Sequence, residues 1–412
     1  MEHLPLFKNK KERLYLSFFL LLLFSCNLFF NYLKYQNFIK DEVFHTQGTI
    51  VNIYEKDRYN VLKITTNDFT LFTSVNKNIA YSILQNTNIF LLTNNINFYQ
   101  YLKGFYAKSF NISILETSTN KIAIYKFIEK QHSNKSIASF YNALFLATPV
   151  DKNTRDMCSF FGISHLVAIS GFHLGVISLV LYFILHLLYN NIHQKYFPYR
   201  NKRFDIMLVI TVILFIYLLF VNLVPSLLRA FVMFVFALFL LRNNIKLLSF
   251  ETLFIIVLFI IAFFPKLLFS LSLWFSVAGV FYIFLFLHYF KGINKYLQFI
   301  LFNFWIYLAM NPIVHYFFTT TTIEQLLSPI FTLLFTLFYP FVALLHILQV
   351  GGLLDTILLW LINYNITPTD VATPLWFFLF YILISILSIF HKKIFIILNL
   401  SFLVFNFLLF IK

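Results

Sequence analysis

Long apolar runs separated by short polar loops make up most of this chain. The first extends from Leu14 to about Tyr32, and the second lies near His165–Tyr189. A helix of about 18 or more apolar residues can cross the roughly 30 Å hydrocarbon core of a bilayer. Together with one interrupted region, the pattern predicts about ten spans. The other long runs lie near 206–223, 226–241, 247–264, 267–289, 297–317, 375–390 and 394–411.

Residues 41–135 have a different pattern. Gly48–Val75 alternates polar and apolar residues and is rich in β-branched and aromatic side chains, with turn-like interruptions at 57–58 and 67–68. This alternation predicts at least three antiparallel strands, and further short strands are predicted at Ile89–Leu92 and Ile122–Phe127. Such a segment is typical of a small barrel such as an OB-fold.

The predicted fold class is a polytopic α-helical membrane protein, with some helices broken and one inserted small β-barrel that is OB-like. Residues 1–40 are predicted to form a cytoplasmic N-terminus and the first transmembrane helix. Residues 41–135 form the extracytoplasmic OB-like domain and residues 136–412 the multi-span domain. Ile137–Val150 is too short to span, so we expect it to lie at the interface or to re-enter the membrane.

One apolar region is interrupted. Leu326–Gln349 contains Pro329 and Pro340, and the next segment, Gly351–Tyr364, is short and amphipathic. If residues 391–393 are cytoplasmic, either both segments cross the membrane or neither does. Two half-helices and a surface helix would satisfy this parity, and broken helices at membrane depth must be buried in protein or line a cavity.

Composition and charge support the membrane class. Of 412 residues, 60% are hydrophobic and 11% charged, whereas a soluble domain is about a quarter charged. The net charge of +15 is compatible with nucleic-acid binding. The alternative is that Lys and Arg collect on cytoplasmic loops, as they do in most membrane proteins.

Basic residues flank the runs on one predicted side. The first run follows a basic segment and has no small-residue cleavage site, which favours an uncleaved span over a signal peptide. The N-terminus is therefore predicted to be cytoplasmic. The basic positions that agree with this orientation are Lys8, Lys10, Lys11 and Arg13, then Lys195, Arg200, Lys202 and Arg203, then Arg242 with Lys246, and Lys291 with Lys295.

Several kinds of site are not expected. The two cysteines, Cys26 and Cys158, lie far apart, and no Cys/His cluster occurs, so a structural zinc site is unexpected. No GxxxxGK[ST] phosphate loop is present, so the chain has no nucleotide-driven motor of its own. We expect no metal, no cofactor and no enzymatic activity.

The stretch RDMCSFFGISHLVAISGFHLG is unusual for a membrane span. With about 100° between residues, His165, Ser170 and His173 fit on one flank of a helix. Polar groups in a span cost free energy and usually face a cavity or pathway, although histidines bonded to neighbouring carbonyls are the alternative. Gly171 and Gly175 form a GxxxG pair, for which close helix packing is the simpler interpretation.

Arg229 lies within the apolar stretch VPSLLRAFVMF, about one turn from its predicted outer end. A lone arginine there can snorkel to the interface. Otherwise it needs a carboxylate or an anion. Few intramembrane carboxylates are available, because Glu324, Asp355 and Asp370 all fall near ends or loops. An anionic substrate is therefore a reasonable partner.

A serine-rich stretch follows in FPKLLFSLSLWFSVAGV, where Ser272 and Ser276 are four residues apart. Such hydroxyls suit helix–helix contact and pore lining equally well.

These motifs, in this order, resemble the ComEC-type competence proteins, which move transforming DNA across the inner membrane. The resemblance covers about residues 140–350. Its most specific part is the SGxH segment, because it embeds two histidines in a span. The matching positions are His165 to Gly175, Pro225 with Arg229-Ala230, Pro265 to Ser276, and Ser328-Pro329 with Pro340.

The resemblance implies an inner-membrane, multi-pass channel that imports single-stranded DNA. It implies a periplasmic DNA-delivery protein and a cytoplasmic ATPase motor as partners, besides membrane lipid, and leaves the oligomeric state open. Many relatives end in a metallo-β-lactamase-like domain, but its HxHxDH motif is absent here. The form without that domain should carry no nuclease, so another chain would supply one.

Two groups of residues are candidates for contact with DNA. The first lines or gates a polar path, and the second stacks on bases in the OB-like domain, where aromatic residues of the barrel core are the alternative interpretation. The path candidates are His165, Ser170, Gly171, His173, Arg229, Ser272 and Ser276. The strand-binding candidates are Tyr54, Lys56, Arg58, Tyr59, Lys63, Phe69 and Phe72.

Two other functions fit the same pattern. A polytopic glycan polymerase or ligase would also have an external domain and essential Arg and His, and would act on a lipid-linked sugar. A secondary transporter for a small solute would have inverted halves and paired discontinuous helices, whereas only one candidate broken region occurs here.

Overall fold

The structure is a computed structural model, and it describes residues 9–77, 79, 81–115, 120–221, 223–243 and 249–411. Two of the predicted basic positions, Lys8 and Lys246, lie outside these ranges. The described chain consists of a sheet domain over residues 41–115 and a helical bundle.

The helices account for most of the described chain. Short 3-10 turns occupy Pro265–Phe269, Ile323–Leu327 and Gly351–Leu354. The helices are α1 (Lys10–Phe38), α2 (Phe98–Lys103), α3 (Asn120–Glu129), α4 (Lys135–Leu146), α5 (Lys152–Phe160), α6 (Ser164–Val167), α7 (Gly171–Tyr196), α8 (Lys202–Phe220), α9 (Pro225–Arg242), α10 (Phe250–Phe263), α11 (Leu271–Tyr289), α12 (Lys295–Phe317), α13 (Ser328–Ile347), α14 (Asp355–Ile362), α15 (Leu375–Leu387) and α16 (Lys392–Ile411).

Seven helical segments in the described ranges are long and apolar enough to cross a membrane. They are α1, α7, α8, α11, α12, α16 and the segment Ile323–Ile347, which contains α13. The other three predicted spans coincide with α9, α10 and α15, which have 18, 14 and 13 residues. The chain is thus a polytopic helical membrane protein with a small inserted sheet.

The bundle has two distinct ends. At the sheet end, Lys266 donates to the backbone carbonyl of Asp68, and Tyr99 packs edge-on against Phe269 with ring centroids 5.2 Å apart. Helices α1 and α10 run toward this end, because Asn27, in the second half of α1, donates to the carbonyl of Ala262, 2.7 Å away.

At the opposite end, helix termini meet through basic and aromatic side chains. Arg13 pairs with Glu251 at 2.6 Å, where α1 and α10 begin. The guanidinium carbon of Arg242 lies 4.5 Å from the ring centroid of Phe204. The basic positions named here therefore lie at helix ends away from the sheet domain.

The sheet domain contains the three predicted antiparallel strands, with the predicted turns between them. Strand β1 pairs with β4 through its first half and with β2 through its second half. Its core holds Ile50, Leu62 and Leu71 from the sheet and Phe38 from α1. The strands are β1 (Val43–Glu55), β2 (Asn60–Thr65), β3 (Thr70–Val75), β4 (Asn86–Leu92), β5 (Phe105–Tyr106) and β6 (Ser109–Leu115), in the spatial order β5-β3-β2-β1-β4-β6.

The structure differs from the predicted barrel in two respects. The sheet is not a closed barrel in its strand order, so the OB-like barrel is not confirmed. The predicted strand at Ile122–Phe127 is wrong, because these residues lie in α3. Tyr125 and Ile128, three residues apart, both pack into the same core as α4, and this helical spacing buries them without a strand partner.

The interrupted region forms one long helix. The predicted break of Leu326–Gln349 into half-helices is wrong, because α13 is continuous, with Pro329 in its first turn and Pro340 inside. Proline is tolerated in a first turn, where the backbone N–H has no partner within the helix.

The chain returns to one place on either side of α13 and α14. Strand β7 (Thr320–Thr321) pairs with β8 (Thr369–Asp370), so the segment between them leaves and re-enters the bundle at the same point.

Helix α4, expected to lie at the interface or to re-enter the membrane, is largely buried in a core that α3, α5 and α13 share. Its start is tied to the start of α5, because the hydroxyls of Ser136 and Ser139 each donate to the Asp151 carboxylate at 2.8 Å. This corner supports the loop that leads to the SGxH segment.

Candidate functional site at the sheet end of the bundle

The SGxH segment is a helix start, whereas a continuous span was predicted. His165 lies in the short helix α6, residues 168–170 are not helical, and α7 begins at Gly171. The prediction that His165 and His173 share one helical flank is therefore wrong. The reason is local, because Ser170 has extended backbone angles and its hydroxyl accepts from the backbone N–H of Phe172, 3.3 Å away.

Ser170 and His173 form a reciprocal cap. The backbone N–H of Ser170 donates to Nδ1 of His173 at 3.2 Å, and the Ser170 hydroxyl lies 3.3 Å from the same nitrogen. This is the capping-box arrangement, with histidine in the place usually taken by Glu or Gln. Nδ1 of His173 thus caps the start of α7.

The other face of His173 makes no hydrogen bond of normal geometry. Because Nδ1 accepts a backbone N–H, the proton of the neutral ring is on Nε2. Nε2 is buried without a hydrogen-bond partner, and the residue is 0% exposed. The rings of Phe335 and Tyr339 meet the imidazole edge-on, with centroids 5.4 and 4.9 Å away. A buried donor without an acceptor costs about 1–3 kcal/mol.

Helix α13 forms the wall opposite this helix start. Nε2 of His165, which is exposed, lies 3.4 Å from the hydroxyl of Thr332. The start of α13 is held because the Ser328 hydroxyl donates to the carbonyl of Gly162, 2.8 Å away. Sequence reasoning missed Thr332, Phe335 and Tyr339, although the Ser328-Pro329 motif marked the helix that carries them.

The two glycines of the GxxxG pair have different surroundings. A Cβ added to Gly171 would lie 3.4 Å from Cβ of Ala230, so α7 and α9 approach closely there. A Cβ added to Gly175 would meet nothing within 4 Å. Close packing is therefore confirmed for Gly171 and wrong for Gly175 within this chain.

Arg229 is buried and bound to a neighbouring helix. It is 6% exposed, and its Nη1 donates to the backbone carbonyl and, at 3.2 Å, to the hydroxyl of Ser272 at the start of α11. Its Nε is buried without a partner. Across the described ranges, no Asp or Glu forms an ion pair with this guanidinium.

The starts of α7, α9 and α11, which carry most of the candidate path residues, are joined by hydrogen bonds. The hydroxyl of Ser226 donates to the carbonyl of Ile169, 2.6 Å away, which joins the starts of α9 and α7. Arg229 then joins α9 to α11 through Ser272, which is exposed, and Ser276 follows one turn later, half-buried. The histidine and arginine groups are thus linked through these short contacts.

The strand-binding candidates on the sheet domain divide into three sets: one core residue, three turn residues and three residues on the face opposite the core. Phe69 is 5% exposed and packs against Phe38, Tyr101 and Phe105. It belongs to the core, so its prediction as a base-stacking side chain is wrong. The turn residues Lys56, Arg58 and Tyr59 are exposed between β1 and β2.

The remaining candidates share the sheet face opposite the core, here called the outer face. Lys63 pairs across the sheet with Phe72, and Phe72 pairs with Tyr106. The Lys63 ammonium lies 5.8 Å from the ring centroid of Phe72, and the Tyr54 ring is 6.5 Å from that of Phe72. Tyr106, which sequence reasoning missed, is 54% exposed. The outer face thus presents aromatic rings beside a cation.

Comparison with known protein families gives one match. Residues 148–411, more than half of the chain, match the family described as Competence protein. No curated protein and no solved structure matches. The matched range contains α6, α7, α9, α11 and α13, and so includes every path candidate.

Proposed function

The chain belongs to the competence protein family, and from this premise we propose that it carries single-stranded DNA across a membrane during natural transformation. The family itself points to DNA uptake. The further step, that this chain is the channel for one strand, is our inference from the chemistry of the site at the sheet end of the bundle.

The observation that carries the proposal is the buried cation at Arg229. A buried guanidinium without a carboxylate is costly unless another anion completes its hydrogen bonds. Phosphate suits the planar fork of arginine better than most anions do. As a nucleic-acid strand moves past Arg229, each of its phosphates in turn would contact the guanidinium. The partnerless donor of His173 lies near the same end of the bundle.

The positions of the basic helix ends support transport from the side of the sheet domain toward the opposite side of the membrane. The basic helix ends lie opposite the sheet domain, which is the distribution expected if they are cytoplasmic. DNA would then arrive from the side of the sheet domain, pass the site at the sheet end, and leave toward the basic loops. A periplasmic delivery protein and a cytoplasmic ATPase would act at these two sides.

We propose that the sheet domain is OB-like and receives the strand. The segment from Phe105 to Leu115 pairs in parallel with β3 and then antiparallel with β4, which supports a sheet that curves back on itself. OB-folds bind single strands by stacking bases on aromatic rings beside basic groups. The outer face, with Lys63, Phe72 and Tyr106, offers both.

We expect Tyr106→Ala to weaken binding of a single-stranded oligonucleotide by the full chain in detergent. Loss of one stacking ring typically costs about 1–3 kcal/mol, which is about fivefold to more than a hundredfold in affinity. Fluorescence anisotropy at several salt concentrations would measure this, and wild-type binding should be weak and salt-sensitive.

The matched control for this prediction is Tyr199→Ala. Tyr199 is 90% exposed and lies between α7 and α8, at the end away from the sheet domain. Equal affinity of the Tyr106→Ala and wild-type proteins, or tight binding insensitive to salt, would remove the outer face from the proposal.

Deletion of the chain tests the proposed function itself. We expect transformation to be lost while labelled DNA still accumulates in a nuclease-protected form outside the inner membrane, because only the last crossing is blocked. A deletion strain that transforms normally but has altered surface glycan would instead support the glycan polymerase or ligase.

A further inference from the structure

Three distant segments of the chain meet in a buried cluster that the proposed function does not use. His132 lies in the turn between α3 and α4, His346 in the last turn of α13, and Asp355 at the start of α14. Nδ1 of His132 is 2.9 Å from Oδ1 of Asp355. Nε2 of His132 is 3.0 Å from Nε2 of His346, and Nδ1 of His346 is 2.7 Å from the carbonyl oxygen of Val342.

These contacts fix where the ring protons are. A carboxylate and a carbonyl oxygen only accept hydrogen bonds, so Nδ1 donates in both His132 and His346. A neutral imidazole has a single N–H, and both Nε2 atoms would then present lone pairs to each other. At 3.0 Å, two facing lone pairs repel, whereas an N–H and a lone pair at this distance form a good hydrogen bond.

We propose that His132 and His346 form a buried proton-binding site that holds one proton between their Nε2 atoms, with Asp355 as its counter-charge. With this proton, one imidazolium, one imidazole and one carboxylate make a neutral cluster in which each ring nitrogen has a partner. Moving a proton from His132 to Asp355 leaves the proton count and the net charge unchanged.

The donor set favours a proton over a metal ion. Metal sites in proteins usually take three or more side-chain ligands, and Asp355 lies behind His132, bonded to its other nitrogen. Across the described ranges, no group of three or more His, Cys, Asp and Glu is arranged to hold a metal. The two Nε2 atoms therefore have only each other as partners, with no third ligand for a metal ion.

The surroundings keep water away from the pair. The side chain of His132 is 0% exposed and that of Asp355 12%. The Tyr141 ring stacks on His132 with centroids 4.7 Å apart and lies 4.5 Å from the His346 ring. Burial and the nearby Asp355 charge raise the pKa of Tyr141, so it stays neutral. Among the described residues, the titratable side chains in contact with the pair are Tyr141 from α4 and Asp355 from α14.

The site ties together parts of the chain that are far apart in sequence. Gln131 beside it accepts from the N–H of Gly351 at 3.0 Å and donates to the carbonyl of His346 at 3.2 Å. Helix α13 extends from this site to Thr332, which contacts His165. Loss of the proton would turn a hydrogen bond into a repulsion and loosen the end of this helix.

The test is the pH dependence of thermal unfolding of the full chain in detergent, from about pH 5 to about pH 8, where histidine titrates. The proposal requires that the folded site hold its proton more tightly than a histidine of the unfolded chain does. The wild-type midpoint should therefore fall by several degrees as pH rises, because folding then has to take up a proton. His346→Gln should flatten this dependence, since an amide both donates and accepts and keeps a bond to neutral His132. His288→Gln, at an exposed histidine of α11, is the control.

Asp355→Asn provides a second, independent variant. Without the carboxylate, the proton is held less strongly, so the fall in midpoint should move to lower pH. Parallel pH curves for wild type, His346→Gln and Asp355→Asn would overturn the proposal, as would a stoichiometric bound metal in the purified protein. These measurements do not involve DNA, so their outcome is independent of the proposed function.

Discussion

Arg229→Met should strongly reduce transformation while the protein folds as well as wild type or better. Methionine approximates the volume of arginine and removes a buried cation that has no carboxylate partner, and such replacements are often neutral or stabilising. The lost phosphate contact is worth about 1.5–3 kcal/mol, which corresponds to about tenfold to more than a hundredfold in transport. Transformant counts, together with the unfolding temperature of the purified variant, measure both effects.

Two further variants make this result specific. Arg242→Met removes the same residue type from the other end of α9, where the side chain is exposed beside Phe204, and we expect it to transform normally. Arg229→Lys keeps the charge but loses the planar fork, so it should retain only part of the activity. Normal transformation by Arg229→Met would exclude this guanidinium from the path.

The spans were predictable because burial in lipid leaves a strong signal. A run of about 18 apolar residues has few alternatives to a membrane helix, and most predicted runs coincide with observed helices to within a few residues. The strands of the sheet domain were equally clear, because Gly48–Val75 alternates and its turns are polar. Both signals are local in sequence.

The break at residues 168–170 was not predicted from hydrophobicity, because the residues on both sides are apolar. The signal was present as Ser170 and His173, spaced as a capping box, but histidine seldom fills that role. The continuity of α13 was missed for the opposite reason. Two prolines suggested a broken helix, yet Pro329 lies in a first turn, where proline is favoured.

The features that were not predicted depend on contacts between segments that are distant in sequence. Phe69 and Phe72 are equally aromatic in the sequence, but only the folded sheet shows that one is core and the other lies on the outer face. His132 is separated by more than 200 residues from both His346 and Asp355, and none of the three stands out alone. These groups come together only in the folded chain, and no local pattern in the sequence indicates that they are close.

The same division applies to the proposed path. Sequence reasoning identified its polar residues, since a charge or an imidazole in an apolar run is conspicuous. It did not show that Arg229 would be bound by a serine of α11 or that His173 would be enclosed by aromatic rings of α13. Four helices, α7, α9, α11 and α13, thus meet at the site, and some of its polar groups hold these helices together.

His173→Phe should reduce transformation by about tenfold or more while leaving the protein folded, because about 1.4 kcal/mol of a lost contact is already tenfold. The phenyl ring keeps the contacts with Phe335 and Tyr339. It loses the Nδ1 acceptor of the Ser170 N–H, which costs about 1 kcal/mol as a lost cap. It also removes the partnerless Nε2–H, whose burial costs about 1–3 kcal/mol. The second effect equals or exceeds the first, so the variant should stay folded and reduced import at normal abundance would report function.

His173→Gln separates the polar role from the ring. Glutamine at this position completes the usual capping box with Ser170 and still offers an N–H. If a polar donor at this point is what DNA requires, the glutamine variant should retain most of the import that the phenylalanine variant loses. Equal, normal transformation by both variants would mean that His173 serves only to begin α7, and the path would then have to pass along Arg229 and Ser272 without it.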